Sequence, residues 1–130
     1  MRRKAKLIYP ELSYKIIGIA YKIFNTLGFG HKEVFYQRAF ANELKELKIN
    51  FKKEFRHPIF YKNKIIGTYI PDFLIDDKII VELKVRPKIG YTHIKQTLSY
   101  LRTANIRLAI IIYFIKDGVK SRRIVNIQNN

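Results

Sequence analysis

Acidic and basic side chains that could share one site lie close together in the segment 69–84, which reads YIPDFLIDDKIIVELK. Side chains in a β-strand alternate between its two faces, so Glu82 and Lys84 point one way and Leu83 points the other way. Asp72 precedes an apolar run that we expect to form the neighbouring strand. Two carboxylates and an ammonium group at one place can bind a divalent metal ion and activate a water molecule. The segment therefore predicts a metal-dependent hydrolytic site.

Whether Asp72 joins this site depends on the turn between the two strands. We expect strands at Ile65–Ile75 and Ile79–Val85, joined through residues 76–78, where two short Asp side chains suit a tight hairpin. That turn places Asp72 opposite Glu82, and opposite residues share a face of the sheet. A slip by one residue would put Asp72 on the other face. The convergence of the three groups is thus conditional on the register.

A divalent cation is the natural compensation for two carboxylates that are held close together. We predict Mg²⁺ or Mn²⁺ held by Asp72 and Glu82, with the carbonyl oxygen of Leu83 as a further ligand. The ion would polarise a phosphodiester oxygen and lower the pKa of a bound water, and Lys84 would orient that water or stabilise the pentacovalent phosphorus. The alternative is a solvated sheet face without chemistry, because strings as short as PD and ELK occur by chance.

The elements that would position these residues follow from hydrophobic periodicity. Apolar residues recur at helical spacing over residues 12–27, from Glu33 to Leu47 and from Thr92 to Thr103. Strands are expected at Phe51–Tyr61 (irregular or an edge because of Pro58), Ile65–Ile75, Ile79–Val85, Arg107–Ile115 (buried on both faces) and Ser121–Ile127. The order ααβββαββ predicts an α/β protein with a mixed central sheet flanked by helices.

Composition indicates a globular domain with a strong positive charge. A length of 130 residues and a hydrophobic content of 48% are typical of one packed domain, which we expect to cover residues 1–130. The net charge of +16 favours a polyanion as partner, with nucleic acid first and an acidic membrane surface second. A general richness in Lys would produce the same charge without such a partner. The chain has no Cys, which excludes disulfide scaffolds, thiolate zinc sites and cysteine nucleophiles.

Nothing in the sequence predicts insertion into a membrane. The longest apolar run, from Leu108 to Ile115, is too short to span a bilayer. The basic N-terminal residues are followed by no apolar segment of the kind found in a secretory signal. We therefore expect a soluble, cytoplasmic protein with no membrane partner.

Several motifs, taken together, resemble those of the PD-(D/E)XK nuclease superfamily. Pro71 and Asp72, followed by the ELK string at 82–84, look like its signature. Upstream, Gly30, Glu33 and Tyr36 are similar to the motif that names the GxxExxY proteins, a small branch of that superfamily. Downstream, QTLSY at 96–100 resembles the Q-x-x-x-Y element of RecB-like nucleases. The resemblance implies a restriction-endonuclease-like fold and extends over most of the chain.

The resemblance also implies roles at the matching positions. Asp72 and Glu82 would bind the metal, Glu33 would bind it directly or through water, and Lys84 would be the catalytic lysine. Gln96 and Tyr100 lie about one helical turn apart, so both could reach the site and position Lys84, a ligand or the DNA backbone. Glu33, Tyr36 and Gln37 have a spacing consistent with one inward-facing helix face. Structural roles are the alternatives: a favourable charge at a helix N-terminus for Glu33, a surface residue for Gln96 and a core aromatic for Tyr100.

Nucleic-acid contacts are expected around the mouth of this site. Arg86 and Lys88 follow the catalytic lysine closely and are the predicted phosphate contacts, although Lys88 could equally be a solvated surface residue. His93 is a further candidate contact, and Tyr36 is either a contact or a core aromatic. The cations are spread along the chain rather than gathered in one tail, which predicts backbone contacts and little base specificity.

Three functional hypotheses follow. The first is a metal-dependent DNA nuclease that hydrolyses phosphodiester bonds, with RNA open as a second substrate. The second is a structure-selective Holliday junction resolvase, which would favour a symmetric homodimer. The third is a catalytically inactive nucleic-acid-binding module, which would show salt-sensitive binding without uptake of metal.

Overall fold

The part of the chain that the structure describes contains three helices and seven strands. The structure is a computed structural model and describes residues 8–88 and 92–127, without the side chain of residue 92. The elements are α1 (Pro10–Leu27), α2 (Glu33–Glu46), β1 (Phe51–Lys53), β2 (His57–Tyr61), β3 (Lys64–Tyr69), β4 (Phe73–Ile75), β5 (Ile79–Val85), α3 (Thr92–Ala104), β6 (Leu108–Ile115) and β7 (Gly118–Val125). The expected domain limits, residues 1 and 130, lie outside the described residues.

Five strands form a central mixed sheet in the order β1-β4-β5-β6-β7. Strands β5 and β6 are parallel, and the other neighbours in this sheet are antiparallel. A parallel pair needs a crossover between its strands, and α3 supplies it. Strand β6 is buried over almost its whole length, as its β-branched run predicted, because helices cover both faces of the sheet.

The two faces of the sheet carry separate apolar clusters. On one face, Ile110 and Ile112 of β6 pack with Ile16 of α1 and with Phe40 and Leu44 of α2. On the other face lie a second set of buried residues, Leu74, Ile80, Leu101, Ala109 and Ile111, with α3 contributing Leu101. The alternation of strand side chains therefore assigns each residue of β4, β5 and β6 to a known helix layer.

The predicted order of elements is confirmed in outline, with two of the strands divided. The expected strand at Phe51–Tyr61 is β1 plus β2, because the chain turns at Glu54, whose φ is 51°. The expected strand at Ile65–Ile75 is β3 plus β4, which lie in different sheets. Pro71 contributes to this second break because it has no amide proton to donate to a strand ladder.

Strands β2 and β3 form a separate two-stranded hairpin. Its tip is a two-residue turn: Lys62 and Asn63 have φ values of 47° and 65°, and Tyr61 pairs with Lys64. Positive φ at both central residues is the property of a type I′ turn, which suits the twist of an antiparallel pair. Among the described residues, no helix has the length and apolar character that crossing a membrane requires.

Truncation in the central strand is expected to lower stability strongly. Ile110 is fully buried in the cluster beneath α1 and α2, so Ile110→Ala should reduce the free energy of unfolding by about 2–5 kcal/mol through lost burial and a cavity. Ile127→Ala is the matched control, since Ile127 is exposed and should contribute less than about 0.5 kcal/mol. Urea denaturation measures both variants, and equal effects would contradict this account of the core.

Candidate active site

The register of β4 and β5 brings Asp72 and Glu82 together. Ile75 pairs with Ile79 and Phe73 pairs with Val81, so the next position along the two strands sets Asp72 opposite Glu82. The backbone N–H of Asp72 donates to the Glu82 Oε1 at 3.3 Å. The condition on which the predicted site depended, a three-residue turn over 76–78, is therefore met.

The carboxylate of Asp72 is held by α2 and β5 at once. Its Oδ2 accepts the backbone N–H of Leu83 at 2.8 Å, and its Oδ1 accepts the side-chain amide of Gln37 at 3.1 Å. Burial raises the pKa of Asp72, and the nearby charge of Glu33 adds to this, whereas the Leu83 N–H and Lys84 oppose it. Asp72 is thus fixed in position but placed where a negative charge is costly.

The carboxylate of Glu82 is the more strongly perturbed of the two. Burial and the neighbouring charge of Asp72 raise the pKa of Glu82 to about 7. Lys84 and a hydrogen bond from the hydroxyl of Tyr69, at 3.2 Å from Glu82 Oε1, act in the opposite direction. Burial also raises the pKa of Tyr69, which keeps that hydroxyl a hydrogen-bond donor at neutral pH.

Lys84 lies on the same face of β5 as Glu82, as alternation predicted. Its Nζ is 3.8 Å from the Glu82 Oε2, and the two side chains are only 18% and 14% exposed. A cation in such a sheltered position interacts more strongly with a neighbouring anion than one in open water does. The Lys84 ammonium group therefore interacts directly with the Glu82 carboxylate.

Glu33 reaches the end of β5 rather than the carboxylate pair. It is the first residue of α2, and its Oε1 accepts the backbone N–H of Val85 at 3.3 Å. Its Oε1 also lies 3.8 Å from Nη1 of Arg86. In the described ranges 8–88 and 92–127, no cluster of three His, Cys, Asp or Glu side chains is arranged to hold a metal ion. Glu33 therefore lies beside the end of β5, and its role as a metal ligand, direct or through water, stays a prediction.

The pair on α3 connects to the site through an aromatic stack. The amide of Gln96 donates to the hydroxyl of Tyr100 at 2.9 Å. The ring of Tyr100 stacks on that of Tyr69, with centroids 3.8 Å apart and 12° between the planes. Tyr69 in turn donates to Glu82. Gln96 and Tyr100 therefore act on the Glu82 carboxylate indirectly, through the ring and hydroxyl of Tyr69.

The predicted nucleic-acid contacts occupy different surroundings. Arg86 is half-exposed and donates to its neighbouring carbonyl at Val85, at 2.9 Å. Lys88 is exposed. Burial lowers the pKa of His93, and the positive charges of Lys84 and Arg86 lower it further, which places His93 beside them. Arg86 and His93 thus lie on the side of the site where Lys84 is.

The prediction of a nucleic-acid contact at Tyr36 is wrong. Its side chain has no exposed surface, and its ring packs against Phe114 with centroids 4.5 Å apart. Its hydroxyl donates to the carbonyl of Gly28 at 2.5 Å. Tyr36 is a core residue that ties α2 to the end of α1.

Two residues in contact with the carboxylates were not among the predicted site residues. Gln37, which binds Asp72, follows Glu33 by one helical turn, so its helical spacing was the available signal. Tyr69 had no such signal. It belongs to β3 in the other sheet, and only the break at residues 70–72 turns its hydroxyl toward Glu82.

The donor groups fit a divalent cation in their chemistry. Two carboxylates whose charges are disfavoured by burial lie beside the backbone of Leu83, and oxygen ligands of this kind suit Mg²⁺ or Mn²⁺. A cation would relieve the repulsion that raises the pKa of Glu82. Asp72, Glu82 and the Leu83 carbonyl are the groups that would hold it.

The raised pKa of Glu82 predicts a pH-dependent stability in the absence of metal. The pKa of Glu82 in the folded protein, about 7, exceeds the ordinary value of 4.5, so the unfolded chain releases this proton at lower pH than the folded protein does. The contribution of Glu82 to the free energy of unfolding is therefore fully present below pH 4.5 and is lost as the pH rises through 7. Glu82→Gln cannot ionise. Its free energy of unfolding relative to the wild type should therefore increase by roughly 3 kcal/mol over that window. Denaturant titrations in EDTA measure this, with Glu46→Gln on an exposed helix face as control; parallel profiles would contradict it.

Comparisons with known proteins identify the fold and the family of the chain. The fold is similar to a crystal structure of the protein SSO0001, with a TM-score of 0.57 and 19% sequence identity over 93% of this chain. The similarity covers 59% of that chain, so the present protein spans about three-fifths of its length. It shows a restriction-endonuclease-like fold. A search of curated proteins finds no significant match. The family model of the PD-(D/E)XK nuclease superfamily matches residues 10–125, and the chain belongs to that superfamily.

Proposed function

We propose that the protein is a metal-dependent nuclease that hydrolyses the phosphodiester bonds of DNA. The observation that carries the proposal is the convergence of Asp72, Glu82 and Lys84 at one end of the central sheet. Membership in a superfamily of nucleases makes hydrolysis of nucleic acid the reaction for which such a site is suited. We further propose that the whole chain, residues 1–130, acts as one catalytic domain.

In this mechanism Asp72 and Glu82 would hold Mg²⁺ or Mn²⁺ together with the Leu83 carbonyl, and Glu33 would assist through water. Such an ion, when bound, would supply charge stabilisation at the phosphate and lower the pKa of a water molecule. Gln37 and the Leu83 N–H orient the Asp72 carboxylate, while Tyr69 orients that of Glu82. Each carboxylate therefore has its position set before substrate arrives, which lowers the cost of reorganisation during the reaction.

Lys84 provides the positive charge of the reaction. Its ammonium group is tethered 3.8 Å from Glu82 and is sheltered from solvent, so it acts on a substrate group that enters beside that carboxylate. It orients the attacking water and stabilises the negative charge that grows on the phosphoryl oxygens. Gln96 and Tyr100 act through Tyr69, whose ring they support.

DNA is the proposed substrate because of the charge of the chain and the residues at the mouth of the site. The net charge of +16 favours a polyanion. Arg86 and Lys88 follow Lys84 and are solvent-accessible, so they are placed to contact the phosphates that flank the scissile bond, with His93 beside them. These contacts read no sequence, so salt-sensitive binding with little base specificity is expected.

Within the superfamily, we assign the chain to the GxxExxY proteins. The three motif residues have distinct structural uses that support this assignment. Gly30 has a φ of 107°, which a residue with a side chain rarely adopts, and it precedes α2. Glu33 binds the backbone at the end of β5, and Tyr36 closes the core between α2 and Gly28.

A cleavage assay tests the proposal. The wild type should cut DNA with Mg²⁺ or Mn²⁺ and fail to cut in EDTA. Asp72→Asn and Lys84→Ala should each reduce the rate about a hundredfold or more, because both act where charge develops in the transition state. Linear, single-stranded and four-way-junction DNA, with an RNA of matched sequence, form the substrate panel. Junction-specific cutting by a dimer in sedimentation would indicate a resolvase.

Two variants at the far end of β5 serve as matched controls. Asp77→Asn and Lys78→Ala change the same residue types in the exposed β4–β5 turn and should leave the rate unchanged. Circular dichroism and thermal melting check that all four variants are folded. Full activity of folded Asp72→Asn would remove the mechanism. Salt-sensitive binding without cleavage or metal uptake would instead indicate a binding module without catalysis.

A change at Tyr69 should shift the pH dependence of cleavage. The Tyr69 hydroxyl lowers the pKa of Glu82, so Tyr69→Phe is expected to raise that pKa. Catalysis requires the ionised carboxylate, and the acidic limb of the pH–rate profile should therefore move to higher pH. Tyr21→Phe, on the half-exposed outer side of α1, is the control that should leave the profile in place. Coinciding profiles for wild type and Tyr69→Phe would refute this role for Tyr69.

A further inference from the structure

The β2–β3 hairpin, residues 57–69, exposes an unusual amount of apolar surface. Phe60 and Tyr61 are 56% and 59% exposed, and Ile65 and Ile66 on the facing strand are 63% and 66% exposed. Phe60 lies directly opposite Ile65, so the two side chains share one face. Exposed apolar surface of this kind is costly in water, which indicates that a partner covers it.

Charge identifies the kind of partner. Cationic residues flank the apolar ones along the chain: Arg56 precedes the hairpin, and Lys62 and Lys64 lie at its tip. From Phe55 to Pro71 the sequence contains no Asp or Glu. The Nζ of Lys62 lies 5.5 Å from the centroid of the Tyr61 ring, so a positive charge and an aromatic face are presented together. A second copy of this chain, which is itself strongly basic, would be repelled, whereas a polyanion would be attracted.

The hairpin is attached directly to the candidate active site. Its two ends meet where the N–H of Glu54 donates to the carbonyl of Asp72 at 3.3 Å. Tyr69, the last residue of β3, donates to Glu82. At roughly 3.3 Å per residue, the six residues of β3 carry the tip about 20 Å from that point. Because the base of the hairpin contacts Asp72 and Glu82, a nucleic acid bound along the hairpin would lie next to the site.

We propose that the β2–β3 hairpin binds unpaired bases of single-stranded or branched DNA and thereby selects such substrates for the active site. The rings of Phe60 and Tyr61 stack on the bases, and Lys62 and Lys64 contact the adjoining phosphates. Unpaired bases are favoured over duplex because the bases of a duplex already stack on one another and present only their edges. This inference rests on the proposed nuclease function, of which it specifies the substrate.

Binding measured in EDTA tests the hairpin separately from catalysis. Fluorescence anisotropy gives the Kd of the protein for a forked DNA with single-stranded arms and for a fully paired duplex of equal length. The wild type should bind the fork more tightly. Phe60→Ala combined with Tyr61→Ala should raise the Kd for the fork about tenfold or more and change the Kd for the duplex by less than about twofold.

Two further variants separate aromatic stacking from a general apolar contact. Phe60→Leu combined with Tyr61→Leu keeps the surface apolar but removes both rings, so it should lose fork binding as the alanine variant does. Tyr14→Ala combined with Tyr21→Ala removes two aromatics exposed on α1 and should alter neither Kd. Full fork binding by the leucine variant, or an equal loss on fork and duplex, would overturn the proposal.

A different occupant of the hairpin would give a different result. Light scattering that shows a dimer which the Phe60→Ala, Tyr61→Ala protein does not form would assign the surface to a second copy and overturn the proposal. Tighter hairpin-dependent binding to anionic phospholipid vesicles than to the fork would do the same. If the wild type binds the fork selectively but cleaves no DNA with Mg²⁺ or Mn²⁺, the nuclease function is contradicted and the hairpin inference is not. If cleavage requires Asp72 but is unchanged in the hairpin variants, the hairpin inference is contradicted and the nuclease function is not.

Discussion

The closeness of the Asp72 and Glu82 carboxylates is the electrostatic constraint around which the site is arranged. Both groups are largely withdrawn from water, and the charge of Asp72 makes ionisation of Glu82 harder. A structural role alone would be served better by apolar residues, because buried like charges cost stability. The two buried carboxylates are therefore stabilised by positive charge nearby, and Lys84 supplies part of that charge.

The surrounding fold holds these groups in spite of their repulsion. Strand β5 lies in the interior of the sheet, between β4 and β6, so its backbone is fixed on both sides. Gln37 reaches Asp72 from the helix layer on one face, and Tyr69 reaches Glu82 with support from α3 on the other. Each carboxylate is therefore held from a different layer, and neither layer alone would complete the site.

The β2–β3 hairpin differs from the central sheet in how much of its apolar surface is exposed to solvent. The sheet is covered by helices on both faces, whereas the hairpin leaves Phe60 and Ile65 in solvent among cations. The hairpin ends at the break between β3 and β4, next to Asp72. The break between β3 and β4 therefore has two consequences. It brings the Tyr69 hydroxyl to Glu82, and it leaves the basic, aromatic β2–β3 hairpin outside the central sheet.

The sequence by itself determined the helices, the buried strand β6 and the pairing of Asp72 with Glu82, because periodicity and a short turn are local properties that few residues decide. Only the tertiary structure decided the rest. Two expected strands divided because the chain turns at Glu54 and at residues 70–72, where sheet membership changes. The burial of Tyr36 and the contact of Tyr69 with Glu82 join residues of different elements, and long-range packing of that kind leaves no spacing in the sequence to detect.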